Sequence, residues 1–199
     1  MRNRVSVIGS ALLFAVLAAG CAKAPQDDVN AAQAELDKAR EAQSDVWAPN
    51  EFQAADQAMS AAKTEIEAQD QKWLKNYDKA KELLATARDE AAKAAVAASA
   101  NKEQARKDSE AALAEADTAL QAAEAALKTA PVTKDSKADL ALYRADLDGL
   151  RQTLDGARQA FDAGDYKKTL ESTTSVKDKA NAIASELEAA RQKRAGVRR

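Results

Sequence analysis

The composition of this 199-residue chain, with 30 Lys and Arg residues, 32 Asp and Glu residues and no histidine, excludes several classes of function. Because the two signs of charge nearly balance, we do not expect nucleic-acid binding, which needs a clearly basic face. One cysteine and no histidine leave too few ligands for a zinc site. Ala, Glu, Lys, Leu and Gln are abundant, so the composition predicts an all-α protein.

The N-terminal segment has the pattern of an export signal. Arg2 and Arg4 precede an uncharged, mostly apolar run over residues 5–18, which is the order found in a secretory signal peptide. The run is shorter than the ~20 apolar residues of a membrane-spanning helix. We therefore predict that residues 1–20 are a signal peptide.

The residues that end this segment, Leu-Ala-Ala-Gly-Cys at 17–21, resemble the lipobox of bacterial prolipoproteins. The resemblance implies cleavage after Gly20, a diacylglyceryl group on the thiol of Cys21 and acylation of the new amine. Residue 22 is Ala rather than Asp, which by the same resemblance implies an anchor in the outer membrane and a body that faces the periplasm. An ordinary signal peptide that leaves Cys21 as a free thiol is the alternative.

Two apolar stripes with the same spacing lie 88 residues apart and indicate an internal duplication. Their members recur every three or four residues, as on one face of a helix. The stripes are Phe52, Ala55, Met59, Ala62, Ile66, Gln69 and Trp73, and then Leu140, Tyr143, Leu147, Leu150, Leu154, Ala157 and Phe161. An Ala-Pro pair precedes each stripe, at 48–49 and 130–131, and a shorter apolar stripe precedes each pair. Each copy is therefore predicted to contain three helices.

The duplication predicts how the mature chain is divided. We expect residues 21–28 to be the acylated cysteine and a short linker, 29–100 a first helical unit, 101–193 a second unit, and 194–199 a basic tail. Each unit is predicted to be an antiparallel three-helix bundle with coiled-coil-like seams. No Gly or Pro interrupts residues 77–130, so a long continuous helix is predicted to join the units. Over residues 70–76 the sequence leaves open whether the first copy breaks or remains one bent helix.

This pattern is similar to a family of bacterial lipoproteins defined by an uncharacterised, Ala-rich helical domain. The Ala-Pro pairs at 48–49 and 130–131, Tyr77 with the alanines that follow it, and Gly-Asp-Tyr at 164–166 carry the similarity. The first copy lacks Gly-Asp before Tyr77. The resemblance covers most of the mature chain and implies a helical lipoprotein, with no activity attached to it.

Four residues are candidate interface positions. Trp47 and Trp73 are the largest apolar side chains, and they are either interface anchors or plugs at the bundle ends. Ala94 and Ala98 belong to a run with seven alanines in residues 91–100. That run is either a surface that a partner helix approaches closely or the slender middle of a connecting helix.

No residue pattern indicates catalysis, a metal or a cofactor. Most acidic side chains lie off the stripes among Lys and Arg, where a solvated carboxylate gains no useful pKa shift. We expect a non-enzymatic lipoprotein that is held to the membrane by its lipid. Its expected role is structural or adaptor, toward an envelope protein partner or through self-association. The alternatives are a helical carrier of a lipid or small apolar molecule and a peptidoglycan-proximal spacer.

Overall fold

The computed structural model describes residues 23–133 and 136–197, and 88% of these residues are helical, with no strand among them. Six helices follow one another in this part of the chain: α1 (Gln26–Glu41), α2 (Ser44–Trp47), α3 (Pro49–Asp70), α4 (Asp78–Thr129), α5 (Lys137–Asp162) and α6 (Tyr166–Val197). The prediction of an all-α protein is confirmed.

The turns between helices are set by local backbone chemistry. After α1 the backbone of Gln43 is left-handed, with φ of 57°, which an α-helix cannot continue through. α3 begins with Pro49, where a missing amide hydrogen has no cost because first-turn amides lack partners within the helix. α4 ends before Ala130, which is extended with ψ of 139° because Pro131 disfavours a helical residue before it.

The turn between α5 and α6 is closed by glycine and capped by a carboxylate. Gly164 has φ of 79°, and its N–H donates to the carbonyl of Phe161 at 2.9 Å while that of Asp165 donates to Ala160 at 2.9 Å. These two bonds form a Schellman motif, which satisfies carbonyls at the end of a helix. The Asp165 carboxylate then accepts the N–H of Lys168 at 3.1 Å and so caps α6.

Two predicted boundaries move. α1 begins at Gln26, inside the predicted 21–28 linker, with Asp27 and Asp28 in its first turn, where the helix dipole favours acids. α6 extends to Val197, into the predicted 194–199 tail, with Arg194 in its last turn, where the dipole favours cations.

The first copy breaks between α3 and α4, so the bent-helix alternative is wrong. α3 ends at Asp70 and α4 begins at Asp78. The ring of Tyr77 is buried, and its hydroxyl donates to the Asp70 carboxylate across the turn. Trp73, the last residue of the predicted first stripe, therefore lies in the turn and not on the helix.

The buried side chains form two hydrophobic clusters. The first contains Ala32, Leu36, Ala39, Ala55, Met59, Ala62, Leu84, Ala87, Ala91 and Ala94, from α1, α3 and the start of α4. The second contains Ala116, Ala119, Leu120, Ala123, Leu147, Leu150, Leu154, Val176, Ala180, Ile183 and Leu187, from the end of α4, α5 and α6. α4 thus contributes to both clusters. Apart from Trp73, the residues of the two predicted stripes are buried or half-buried.

Candidate functional site

The residues of the predicted acylation signal, Gly20 and Cys21, lie outside the described residues. The described chain begins at Lys23, three residues before α1. Cleavage after Gly20 and lipidation of Cys21 therefore remain predictions.

Ala94 and Ala98 are not available to a partner. Both side chains are 0% exposed within the chain itself, and Ala94 packs in the first cluster with α1 and α3. The interface prediction for these two residues is wrong, because the small alanine side chains allow the chain's own helices to pack closely here. The alternative of a slender helix agrees with this burial.

Trp47, the last residue of α2, packs against the start of α6 beside the middle of α4. Its ring centroid is 6.3 Å from that of Tyr166, which in turn is 5.5 Å from Phe161. The Lys167 ammonium lies 5.2 Å from the centre of the Trp47 ring, within the range of a cation–π interaction. Trp47 is half-buried, so the structure places it inside the fold.

Hydrogen bonds complete this contact, and we call the group formed by Trp47, Asn101, Tyr166 and Lys167 the mid-helix joint. The side-chain amide of Asn101 donates to the Trp47 carbonyl at 2.7 Å. Lys167 donates to the carbonyl of Val46 at 3.0 Å. The buried hydroxyl of Ser109 donates to the carbonyl of Tyr166 at 3.1 Å. The helix α2 and the start of α6 are thereby fixed to α4 and to each other.

Trp73 has the opposite environment. Its side chain is 97% exposed, and the neighbouring Leu74 is 76% exposed. The interpretation of Trp73 as a plug at a bundle end is wrong, because α3 ends three residues before it and the turn carries its ring away from the cluster. We call residues 72–75, Lys-Trp-Leu-Lys, the end loop.

The aromatic residue that ends the second predicted stripe has a different environment. Phe161 aligns with Trp73 in the two stripes, but α5 continues through it to Asp162. The Phe161 ring is half-buried and contacts Tyr166. The first predicted stripe therefore ends in an exposed aromatic side chain, and the second predicted stripe ends in a packed one.

The end loop is held in place by the residues around it. The Asn76 N–H donates to the Gln69 side-chain oxygen at 3.2 Å, and Lys75 pairs with Asp70 at 3.1 Å. Hydrogen bonds from Tyr77 and then Lys75 lower the pKa of Asp70, while the same bond to Asp70 raises the pKa of the Tyr77 hydroxyl. The loop therefore presents its apolar side chains from a defined turn.

A groove of about 620 Å³ runs between α5 and α6 and is open to solvent. Its lining combines apolar Leu150 and Ile183 with charged Asp146, Lys179 and Glu186. At its edge the Tyr143 hydroxyl donates to Glu186 at 2.6 Å, and this bond raises the pKa of Tyr143. The carrier alternative predicts that a lipid or small apolar molecule binds in a groove such as this one.

No protein-family model, curated protein or solved structure matches this chain. Within residues 23–133 and 136–197, no helix has the length and apolar character needed to cross a bilayer. Across the same described ranges, no group of three or more Cys, Asp or Glu side chains is arranged to hold a metal ion.

Sequence reasoning missed two features of these surfaces. The pairing of Trp47 with Tyr166 joins residues far apart in the sequence, and the only signal for it was that both lie beside predicted turns. The exposure of Leu74 was also missed. A local signal for it is the pair of lysines that flank Trp73 and Leu74, within the 70–76 segment where the sequence leaves a helix break open.

Proposed function

We propose that the mature protein is a lipid-anchored envelope protein with a structural or adaptor role, built from two tandem three-helix units that share α4. The lipobox-like residues at 17–21 support the anchor. The observation that carries the proposed role is α4 itself, which is 52 residues long and contributes to both clusters. At 1.5 Å per residue it extends about 78 Å. A helix of this length suits a body that reaches from a membrane to a distant component.

The two clusters support the duplication. α1, α3 and the first part of α4 correspond in order to the last part of α4, α5 and α6, and each set buries one cluster. Each set also has an Ala-Pro pair between its first and second apolar stripes, at 48–49 and 130–131. A rod built from repeats gains its stiffness from the contacts between neighbours, and the mid-helix joint supplies such contacts here.

The tether between the proposed anchor and the body is short. Four residues, 22–25, separate Cys21 from the first residue of α1, so their full extension spans about 18 Å from Cys21 to Gln26. Two or three acyl chains give stable membrane attachment, whereas one is marginal. The body would thus remain close to the bilayer at one end.

The anchor is tested by feeding cells a clickable fatty acid and comparing the wild type with Cys21→Ser. We expect label and membrane fractionation in the wild type and loss of both in the variant. An unlabelled wild-type protein recovered from the periplasmic fluid would contradict the anchor. Separation of inner from outer membranes on a sucrose density gradient then tests the predicted outer-membrane location.

The adaptor role is tested with photo-crosslinking residues placed at exposed apolar positions on the body, Val96 in α4 and Leu142 in α5. An adaptor gives a discrete adduct at one of these positions in living cells, and the same variants without irradiation are the matched negative control. Absence of a discrete adduct at both exposed positions would count against a protein partner there. Co-sedimentation with purified sacculi would then indicate the spacer alternative.

A further inference from the structure

The end loop exposes two large hydrophobic side chains to solvent. The adjacent side chains of Trp73 and Leu74 are 97% and 76% exposed, and Lys72 and Lys75 flank them. Trp and Lys are the side chains that favour the membrane interface, where a ring meets the acyl boundary and an ammonium reaches the headgroups. The surrounding hydrogen bonds fix the turn, so these side chains are presented from a folded structure.

The helix directions show which end of the body carries this loop. Arg40, near the end of α1, contacts Phe52 and Asp56, near the start of α3. α1 and α3 are therefore antiparallel, and the start of α1 lies beside the end of α3. Glu65 in α3 pairs with Lys79 at 3.3 Å, which places the start of α4 at this end too.

The start of α1 is also where the tether to Cys21 joins the body. The short stem of residues 22–25 connects the proposed lipid to the end of the body that carries the end loop. By contrast, the mid-helix joint lies at Asn101, 23 residues into α4, which is about 35 Å away along the helix. The exposed apolar pair and the tether therefore share one end of a long body.

We propose that the end loop inserts Trp73 and Leu74 into the headgroup region of the bilayer that holds the Cys21 lipid, so that the body stands end-on upon the membrane. This inference rests on the proposed lipid anchor. Lys75 is paired with Asp70, and Asp78 is exposed nearby, so the apolar pair carries the contact and anionic lipid adds little. The lipid and the loop together give two points of attachment, which fix an orientation that a tether alone leaves free.

The test uses the acylated protein in vesicles of phosphatidylethanolamine and phosphatidylglycerol whose acyl chains are partly brominated, since bromine quenches tryptophan at short range. Trp47→Phe leaves Trp73 as the only tryptophan, and Trp73→Phe leaves Trp47 as the matched control. We expect several-fold stronger quenching in the first variant than in the second. A third variant adds Val132→Trp to both Phe substitutions, placing a 67%-exposed site beyond the far end of α4, and it should remain unquenched.

Flotation of the vesicles distinguishes failure of the loop contact from failure of the anchor. Protein that does not float overturns both the anchor and the loop contact. Protein that floats with Trp73 no more quenched than Trp47 overturns the loop contact alone. Strong quenching at Val132→Trp means that the body lies flat, which also overturns the end-on arrangement. Shielding of Trp73 from aqueous acrylamide without quenching by bromine identifies a protein or a second copy as the occupant instead.

A spin label on the end loop measures membrane insertion without any substitution of Trp47, which belongs to the mid-helix joint. Leu74→Cys introduces the one free thiol of the acylated protein, because Cys21 carries the lipid. We expect vesicles to raise the accessibility of this label to oxygen and lower its accessibility to a water-soluble nickel complex. Val132→Cys is the matched control and should not change. Equal responses at the two sites would contradict the proposal.

Discussion

The substitution Leu84→Ala tests how an alanine-rich core holds this fold together. Leu84 in α4 is 0% exposed and is one of the largest fully buried side chains in the described structure. Its cluster consists mostly of alanines, together with Leu36 and Met59. Because alanine has no rotamers that could fill a gap, the space left by Leu84 should persist rather than collapse.

The expected cost follows from the atoms removed. Loss of three buried carbons at ~0.8 kcal/mol each gives about 2.4 kcal/mol. A residual cavity of roughly 50 Å³, at ~24 cal/mol per Å³, adds about 1.2 kcal/mol. We therefore expect the free energy of unfolding to fall by about 3.5 kcal/mol.

The measurement is urea denaturation of the mature chain carrying Cys21→Ser, followed by far-ultraviolet circular dichroism. The midpoint should fall with little change in the slope, because the same surface is exposed on unfolding. Leu142→Ala is the control, since this leucine is 65% exposed in α5 and should cost less than about 0.5 kcal/mol. A loss under about 1 kcal/mol at Leu84, or equal losses at the two sites, would refute the reasoning.

Three further predictions concern the mid-helix joint, the packed alanine Ala94 in α4 and the turn after α3. Trp47→Ala should lower the free energy of unfolding by about 1–2 kcal/mol through loss of its ring contacts, whereas Trp73→Ala should leave denaturation unchanged because its side chain is exposed. Ala94→Leu should lower the free energy of unfolding by about 1–3 kcal/mol through overpacking. An equal effect of the same substitution at an exposed alanine would contradict close helix packing. Tyr77→Phe should raise the pKa of Asp70 toward its ordinary value of about 3.9 in an NMR titration. Because its pKa is lowered, ionised Asp70 contributes stability at pH values above its ordinary pKa, and this contribution is lost as the pH falls through the folded pKa. The contribution should be smaller in Tyr77→Phe. An unchanged Asp70 titration would exclude the hydrogen bond as the cause.

The helical stripes illustrate what sequence periodicity predicts well. Met59 and Leu154 were placed on apolar faces by their spacing alone, and both are buried. Spacing of this kind is a local property, because 3.6 residues per turn puts such side chains on one side of any helix. The all-helical character was predictable for the same local reason, since alanine and long unbranched side chains favour helices one residue at a time.

The candidate surfaces were only partly predictable. Trp47 and Trp73 were singled out together as large apolar side chains, and their environments differ completely in the structure. The reason is that α3 stops at Asp70, where Tyr77 folds back to close the turn. The alanine run around Ala94 and Ala98 predicts either a partner surface or a slender connecting helix, and both side chains are buried within the chain itself.

By itself, the sequence of this protein determined its helical content and which residues share a helix face, because these follow from nearest neighbours along the chain. The tertiary structure decided which faces are covered and which remain in water. The bond between Lys167 and the carbonyl of Val46 joins residues 121 positions apart, and no local pattern encodes such a meeting. Burial depends on what other segment reaches a position, and that is fixed only when the helices pack together.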